Sequence, residues 1–568
     1  MNFDKNDRSA PLSANGSLSG ILIRAATRAP GRGIAIFDHR GRSHERRTYP
    51  EVLAAARRSA ARLAGLGIEP GDRVLICLPT SWAWLEAWLG SLFCGALPVA
   101  LAPSGAMSAI EAQLQKVEGV CERFGAKRLI GDLFLRQEAL RLGAQRTAAA
   151  VLLPAEIEQA RDEVLRPAPE PDPESPAFLQ LTSGSTGLPR AVVISHRAIL
   201  HQLLAIEEAL RSPHGKPVHA WLESLVSWLP LYHDMGLVGC LLFSIAHGLD
   251  LWLMRHETFL ARPRLWLETV GSHGPAVSAA PNFAYQACVE RIPPEALAQV
   301  NLAPWRAAIT GAEMIRPDTC AAFSKAFSPR GFAPQAYRAC YGLAEGTLAV
   351  TFERQGLGVR SQPMPKDGDT GFGLSAVVST GAPVLDTELR IEAPDGSLRD
   401  SGASGEVRVK GPGVFSGYYH DPEATAECLQ DGWLRTGDLG FLHQGELYLT
   451  GRTKDLLIVH GHNLAPHEIE WLAESVTGGG GTLRCGAFSV ARGSEGEQVV
   501  LVLEAGERDG AALAEVEREV RRHIGRTLAL PLADVAFVRR GQIPKTTSGK
   551  VQRAELRKRY LEGRLERL

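Results

Sequence analysis

The stretch AFLQLTSGSTGLPRAVVISH (residues 177–196) decides how the rest of the chain is read. Its flanks, AFLQLT and RAVVISH, are short apolar runs of the kind that form buried strands. The helical pattern RAILHQLLAIEEAL (197–210) follows directly. Strand, loop, strand and helix in this order argue α/β layers. The loop offers four hydroxyls (Thr182, Ser183, Ser185, Thr186) and two glycines, Gly184 and Gly187, that let the backbone approach an anion closely. It is not the common phosphate loop, which needs a Gly-Lys pair opening a helix. A Ser/Gly-rich surface turn has the same composition, so the loop's meaning depends on what accompanies it.

The same alternation holds upstream. YPEVLAAARRSAARLAGLG has the three-to-four spacing of an amphipathic helix, and DRVLICLP reads as a buried strand closed by proline. Two long apolar runs, 81–105 and 237–254, carry Glu86 and Pro98 in the first and His247 and Asp250 in the second. A membrane span needs about 20 residues with few or no charges, so both are expected to be core. RPAPEPDPESP (166–176) reads as extended surface chain, and residues 1–17 as a loose arm without a signal peptide. From about Gly451 a smaller α+β region begins. GELYLTGRTKDLLIVHGHNLAPHEIEWLAESV predicts strand, turn, strand, loop and helix, and CGAFSVARGSEGEQVVLVLEAG predicts a hairpin. GAALAEVEREVRRHIGRTL and RAELRKRYLEGRL predict two further helices.

The chain has 568 residues, 22% of them charged, with a net charge of −1. That balance gives no global field for nucleic acid or an anionic membrane. The basic run Arg557–Arg559 is interleaved with Leu556, Tyr560 and Leu561, which suits a solvated helix face. Nine scattered cysteines form no C-x-x-C pair, so reduced buried thiols of a cytoplasmic protein are expected, with neither a disulfide framework nor a zinc site.

Further short stretches give the loop company. TGAE (310–313) follows the β-like WRAAI; YGLAEGT (341–347) sets Tyr341 and Glu345 four apart; RTGDLG (435–440) reads as an acid in a tight glycine turn. GRTKD (451–455) puts cations and an acid at the joint of the two regions, and IPKTTSGKVQR (543–553) carries Lys550 on a Gly/Ser loop. Singly, each is a turn, a cap or a solvated charge. In this order they closely resemble the adenylate-forming superfamily, over nearly the whole chain after the arm.

That resemblance implies an enzyme that joins a carboxylate to ATP, using Mg²⁺, to give acyl-AMP and pyrophosphate. It implies a large multi-subdomain N-terminal α/β domain (18–450), a hinge (451–455) at Lys454, and a small mobile C-terminal α+β domain (456–568). Residues 182–187 and Arg190 would hold the phosphates, and Glu345 would hold Mg²⁺. Gly311, Ala312, Glu313, Tyr341 and Gly342 would line the adenine, Asp438 and Arg452 the ribose. Lys550, with Glu345 and His233, would be catalytic, Lys550 bridging the carboxylate and the α-phosphate. Many relatives end the loop Pro-Lys-Gly, whereas this chain ends it Pro189-Arg190-Ala191. Arginine keeps the charge but adds a planar fork, so altered nucleotide affinity with retained activity is expected, and Ala191 requires ordinary backbone there.

The branch marker is SWLPLYHDMGLVG (227–239), which resembles fatty acyl-AMP ligases almost word for word, as do PNFAYQAC (281–288) and YGLAEGTLAVTF (341–352). By that likeness His233, Asp234, Met235, Asn282 and Phe283 would border an acyl pocket. The excursion between Thr351 and Gly381 is longer than acyl-CoA synthetases usually show though shorter than in many acyl-AMP ligases, and His460 precedes a single Gly461 where many CoA synthetases have a glycine pair. Both features favour transfer of a medium- or long-chain acyl group to the phosphopantetheine arm of an acyl carrier protein, as in polyketide or lipopeptide assembly. The alternatives are transfer to CoA, or a non-catalytic acyl/nucleotide-binding scaffold. A monomer or weak homodimer is expected.

Overall fold

The computed structural model describes residues 16–103, 110–164, 171–182, 189–212, 214–354, 356–363, 376–459, 462–476, 484–491, 497–506, 510–545 and 550–568. The expected arm up to residue 15, Ser183–Gly187 of the loop, the middle of the 351–381 excursion, His460–Gly461, the glycine run 478–481 and the TTSG segment (546–549) lie outside them.

Two sheets dominate the large N-terminal part. The nine-stranded sheet has at its heart six parallel strands: Gly33–Phe37, Asp250–Leu253, Ser224–Ser227, Ala276–Ala280, Trp305–Thr310 and Tyr337–Gly342, in that spatial order. Such strands read as continuous apolar runs because helices cover both faces of a parallel sheet; Ala276–Ala280 is buried at every position. The six-stranded sheet ends in the hairpin Pro176–Thr182 / Arg190–Ser195, which is the opening stretch of sequence. The helix His196–Ala209 follows, its first turn capped by Ser195 Oγ accepting from Ala198 N at 3.2 Å. Tyr49–Gly65, the first amphipathic pattern, starts at a capping box in which Glu51 accepts from the Thr48 backbone N–H at 2.7 Å.

Both long apolar runs are core. The first forms the helix Trp82–Phe93 and the strand Leu97–Ala100. The second forms a π-helix, Leu237–Leu242, then a helix, Phe243–His247, then the strand Asp250–Leu253. Among the described residues no helix is long and apolar enough to cross a membrane. All nine cysteines are free thiols, six of them buried.

The stretch RTGDLG departs from expectation. It is no tight turn: it lies inside the long strand Trp433–His443, where Gly437 takes φ +70° beside a bulge in the pairing with Gly405–Lys410. The smaller C-terminal part has its own apolar clusters, drawn wholly from residues 457–565. Its expected hairpin is Cys485–Ala491 / Glu497–Ala505, and a third strand, Leu532–Arg539, adds in parallel to the second. A short strand, His462–Leu464, stands where a loop was expected and pairs with Leu457–Val459.

Candidate active site

Ligands of open α/β sheets bind outside the carboxyl ends of the parallel strands. Four adjacent strands of the nine-stranded sheet carry predicted residues there. Ser224–Ser227 leads to His233–Met235, Ala276–Ala280 to Asn282 and Phe283, Trp305–Thr310 to Gly311–Glu313, and Tyr337–Gly342 ends in Tyr341 and Gly342 with Glu345 just beyond. Close backbone approach explains the glycines. A Cβ on Gly311 would lie 2.7 Å from Cys340 Sγ, and one on Gly342 would lie 1.8 Å from Leu348 O. Two non-glycine residues here hold positive φ, Ala312 at 65° and the buried Thr347 at 66°. Such conformations cost about 1–3 kcal/mol and cluster at functional sites. Thr347 is fixed by its hydroxyl, which donates to Gly413 O at 2.6 Å.

Asp438 is engaged through both of its carboxylate oxygens. Its side chain is 6% exposed; Oδ2 accepts from the Tyr341 hydroxyl at 2.6 Å and Oδ1 from Arg452 Nε at 2.7 Å. Asp438 and Arg452 are register partners across two antiparallel strands, so the sheet itself brings them together. Each carboxylate oxygen has two lone pairs, so each keeps one for a further donor. Tyr341 thus meets Asp438 through its hydroxyl, a contact its expected place beside adenine did not include.

Lys550 reaches the same place from the far end of the chain. Its ammonium lies in the field of Arg452, Asp234, Asp438 and Glu313. Burial first, and Arg452 second, hold it below the ordinary lysine range, while the three acids oppose them. Asp234 responds in turn. Burial pushes its carboxyl up, but His233, the Met235 N–H and Lys550 together outweigh burial and leave it below the usual range. The contacts are His233 Nδ1 to Asp234 Oδ1 at 3.0 Å and Met235 N to the same oxygen at 2.7 Å. Glu313 accepts from Phe283 N at 2.7 Å, in the first turn of the helix Asn282–Arg291, where a carboxylate meets the positive end of the helix. Burial still leaves Glu313 above its ordinary value. Asn282 uses its amide within the protein: Oδ1 accepts from Arg316 N at 3.1 Å and Nδ2 donates to Thr319 Oγ1 at 3.4 Å. Phe283 packs edge-on against Trp228, with ring centroids 5.8 Å apart.

A second cluster forms around Glu345, whose Oε1 accepts from the Tyr418 hydroxyl at 2.7 Å. The Arg190 guanidinium lies 5.2 Å from the Tyr418 ring centroid and 3.7 Å from Asp421, which also binds Arg123 at 2.7 Å. The planar fork at the end of the loop is therefore stacked on the tyrosine that holds Glu345. Ala191 is buried in a strand with ordinary backbone, its carbonyl accepting from Tyr419 N at 2.8 Å. Thr182, paired with Arg190 across the hairpin, marks the mouth of the loop. Tyr418 was not foreseen; its partner is 73 residues away, beyond any local pattern. Lys454 stands exposed on the single turn Thr453–Asp455. Among the described residues no group of three or more His, Cys, Asp or Glu side chains could by itself hold a metal ion.

A protein of Caulobacter vibrioides, provisionally named acyl-CoA synthetase, is 33% identical over 98% of this chain and 97% of its own. The long-chain-fatty-acid–AMP ligase FadD26 of Mycobacterium marinum is 32% identical over 92% of each chain. A solved structure from work on fatty acyl-adenylate ligases of E. coli and L. pneumophila superposes with a TM-score of 0.85, at 30% identity and 98% coverage of both chains. Residues 22–419, more than half the chain, match the family model described as AMP-binding enzyme, and to that family the chain belongs.

Proposed function

We propose that the protein activates a medium- or long-chain fatty acid with ATP to acyl-AMP and pyrophosphate, then passes the acyl group to the phosphopantetheine thiol of an acyl carrier protein in the cytoplasm. The observation that carries the first step is the convergence of Lys550 with Asp234, Glu313 and the Asp438–Arg452 pair, contributed by separate parts of the chain. A fatty acid's carboxylate oxygen attacks the α-phosphorus, one P–O bond forms, the bond to the bridging oxygen breaks, and pyrophosphate leaves. Negative charge gathers between carboxylate and phosphorus, where a fixed cation is worth most. Lys550 is assigned that place, Asp438 and Arg452 the ribose hydroxyls, and the loop from Thr182 the departing phosphates. Gly311, Ala312 and Gly342 are assigned to the adenine, and His233 and Met235 to the carboxyl end of the acyl pocket.

Mg²⁺ fits a site of this kind. It binds through one or two carboxylates plus substrate phosphates and water, and Glu345 offers one carboxylate with Oε1 already oriented by Tyr418. A cation held there supplies charge neutralisation on the phosphates. The small part is expected to pivot at 451–455 between half-reactions, with Lys454 at the turn.

The test is ATP–pyrophosphate exchange driven by fatty acids of graded length, with Lys550→Ala as control. Exchange by the wild type that is lost in the variant supports the reading; no exchange with any acid sinks it. The second reading, transfer to CoA, draws on the provisional name of the C. vibrioides relative. Supplying CoA and carrier protein side by side separates the two, and efficient acyl-CoA formation would overturn the choice of acceptor.

A further inference from the structure

Lys550 must be held where it acts, and the contacts that hold it form a continuous chain. It immediately precedes Val551, which bridges to Lys545, and Gln552 N donates to Pro544 O at 2.9 Å. Three residues after Lys550, the Arg553 guanidinium makes a two-pronged bond to Glu470, at 2.8 and 2.7 Å, and a third contact to Asp455 at 3.1 Å. Glu470 lies on the helix Pro466–Val476. Four residues further along that helix, Glu474 binds Arg316 Nη1 at 2.5 Å, and the same guanidinium covers the Trp471 ring at 5.1 Å. Arg316 belongs to the large part. It follows Glu313 by three residues, and its backbone N–H is bound by Asn282.

One helix therefore carries two grips. Glu470 holds Arg553, three residues after Lys550, and Trp471 with Glu474 holds the large part. Residues three and four apart on a helix share a face, so Glu470 and Glu474 are rigidly related, and a shift at one is transmitted to the other. The two side chains of the Arg316–Glu474 pair are only 25% and 20% exposed. Arginine suits such a joint because a planar cation can stack and pair at once.

We propose that Arg316 is a positioning residue for Lys550: its grip on Trp471 and Glu474 latches the helix Pro466–Val476 in the place that sets the ammonium over the site. The inference rests on acyl-AMP formation with Lys550 as the acting cation. Lys545, the bridge partner of Val551, lies in the field of Glu313 and Glu474, and Lys550 shares the field of Glu313.

The experiment is fatty-acid-dependent ATP–pyrophosphate exchange by the full chain, comparing wild type, Arg316→Ala, Glu474→Gln, the exchanged pair Arg316→Glu/Glu474→Arg, Lys550→Ala, and Arg316→Ala/Lys550→Ala. Misplacement of a reacting group by about 1 Å costs on the order of 10²-fold, so Arg316→Ala should lose about that in kcat with its KM for ATP little changed. The exchanged pair should recover most of the loss. Because Arg316 acts through Lys550, the double variant should be no slower than Lys550→Ala alone, a non-additivity that general destabilisation does not produce. Wild-type kcat in Arg316→Ala, or additive losses in the double variant, overturns the latch while leaving acyl-AMP formation standing. Absence of exchange by the wild type overturns the underlying reading and the latch with it.

Discussion

Replacing Glu470 by glutamine tests the densest polar contact in the C-terminal part. The Glu470 side chain is 8% exposed and accepts from three donors: Arg553 Nε at 2.8 Å, Arg553 Nη2 at 2.7 Å and Ala487 N at 3.0 Å. Glutamine keeps the shape but offers one oxygen, and its amide nitrogen would face a second donor. Arg553 would keep Asp455, at 3.1 Å. Breaking one partner of a buried ion pair costs about 3–5 kcal/mol, because the remaining charge is left uncompensated. Global unfolding of a chain with two cores is not a clean readout, so amide hydrogen exchange in the strand Glu497–Ala505 is the better measurement. That strand is the centre of the C-terminal sheet, and its slowest amides report the opening free energy of the unit they belong to. At 1.36 kcal/mol per decade, exchange there should accelerate by about two to four decades. Amides of Trp305–Thr310, in the other core, should not change. Acceleration of less than tenfold in Glu497–Ala505 would refute the argument that this pair secures the C-terminal fold.

Three further outcomes follow from the site. Protonated Lys550 is required and its pKa is lowered, so the alkaline limb of kcat should fall below pH 10.5, the ordinary lysine value; full activity maintained to that pH would contradict the assignment. Burial pushes Glu468 up to about 8 from 4.5, so the folded protein retains a proton that the unfolded chain gives up. Its stabilising contribution is complete below about pH 4.5 and is lost as pH rises through about 8; Glu468→Gln should therefore gain about 3–5 kcal/mol on the wild type between pH 5 and 9 in a thermal-unfolding series, and a constant difference would count against this. Arg190→Lys gives up the stack on Tyr418 and weakens the contact with Asp421; together these are worth about 1 kcal/mol, so the KM for ATP should change about fivefold, and an unchanged KM would show that the loop ending is immaterial.

The fold was largely legible because its signals are local. The hairpin around the loop, the buried strands and the capped helix Tyr49–Gly65 all announce themselves in a few residues. The misses have physical causes. RTGDLG looked like a turn because its glycine needs positive φ, yet a bulge inside a strand makes the same demand. The π-helix Leu237–Leu242 sits in a uniformly apolar run with no polar face to reveal its period. VAFV, inside Leu532–Arg539, carries a plain strand signal that the expected order of helix and hairpin left unused. At the candidate site, the residues that lie together could be named from the sequence, but the contacts that orient them could not. Tyr418 on Glu345, Arg316 on Glu474 and Arg553 on Glu470 join positions 73, 158 and 83 residues apart, and no spacing rule reaches that far.

Cys340 lies directly beneath Gly311, at the edge of the place proposed for the nucleotide. A mixed anhydride of fatty acid and AMP is an acylating agent, and thiolates are its natural victims. Burial above all, with Asp234 adding to it, pushes the Cys340 thiol up to about 12. At neutral pH only on the order of one molecule in 10⁵ carries the thiolate. The enzyme can therefore keep a sulfur against its own reactive product without becoming acylated, and an electrophile that labels exposed cysteines should leave this one untouched while the protein is folded.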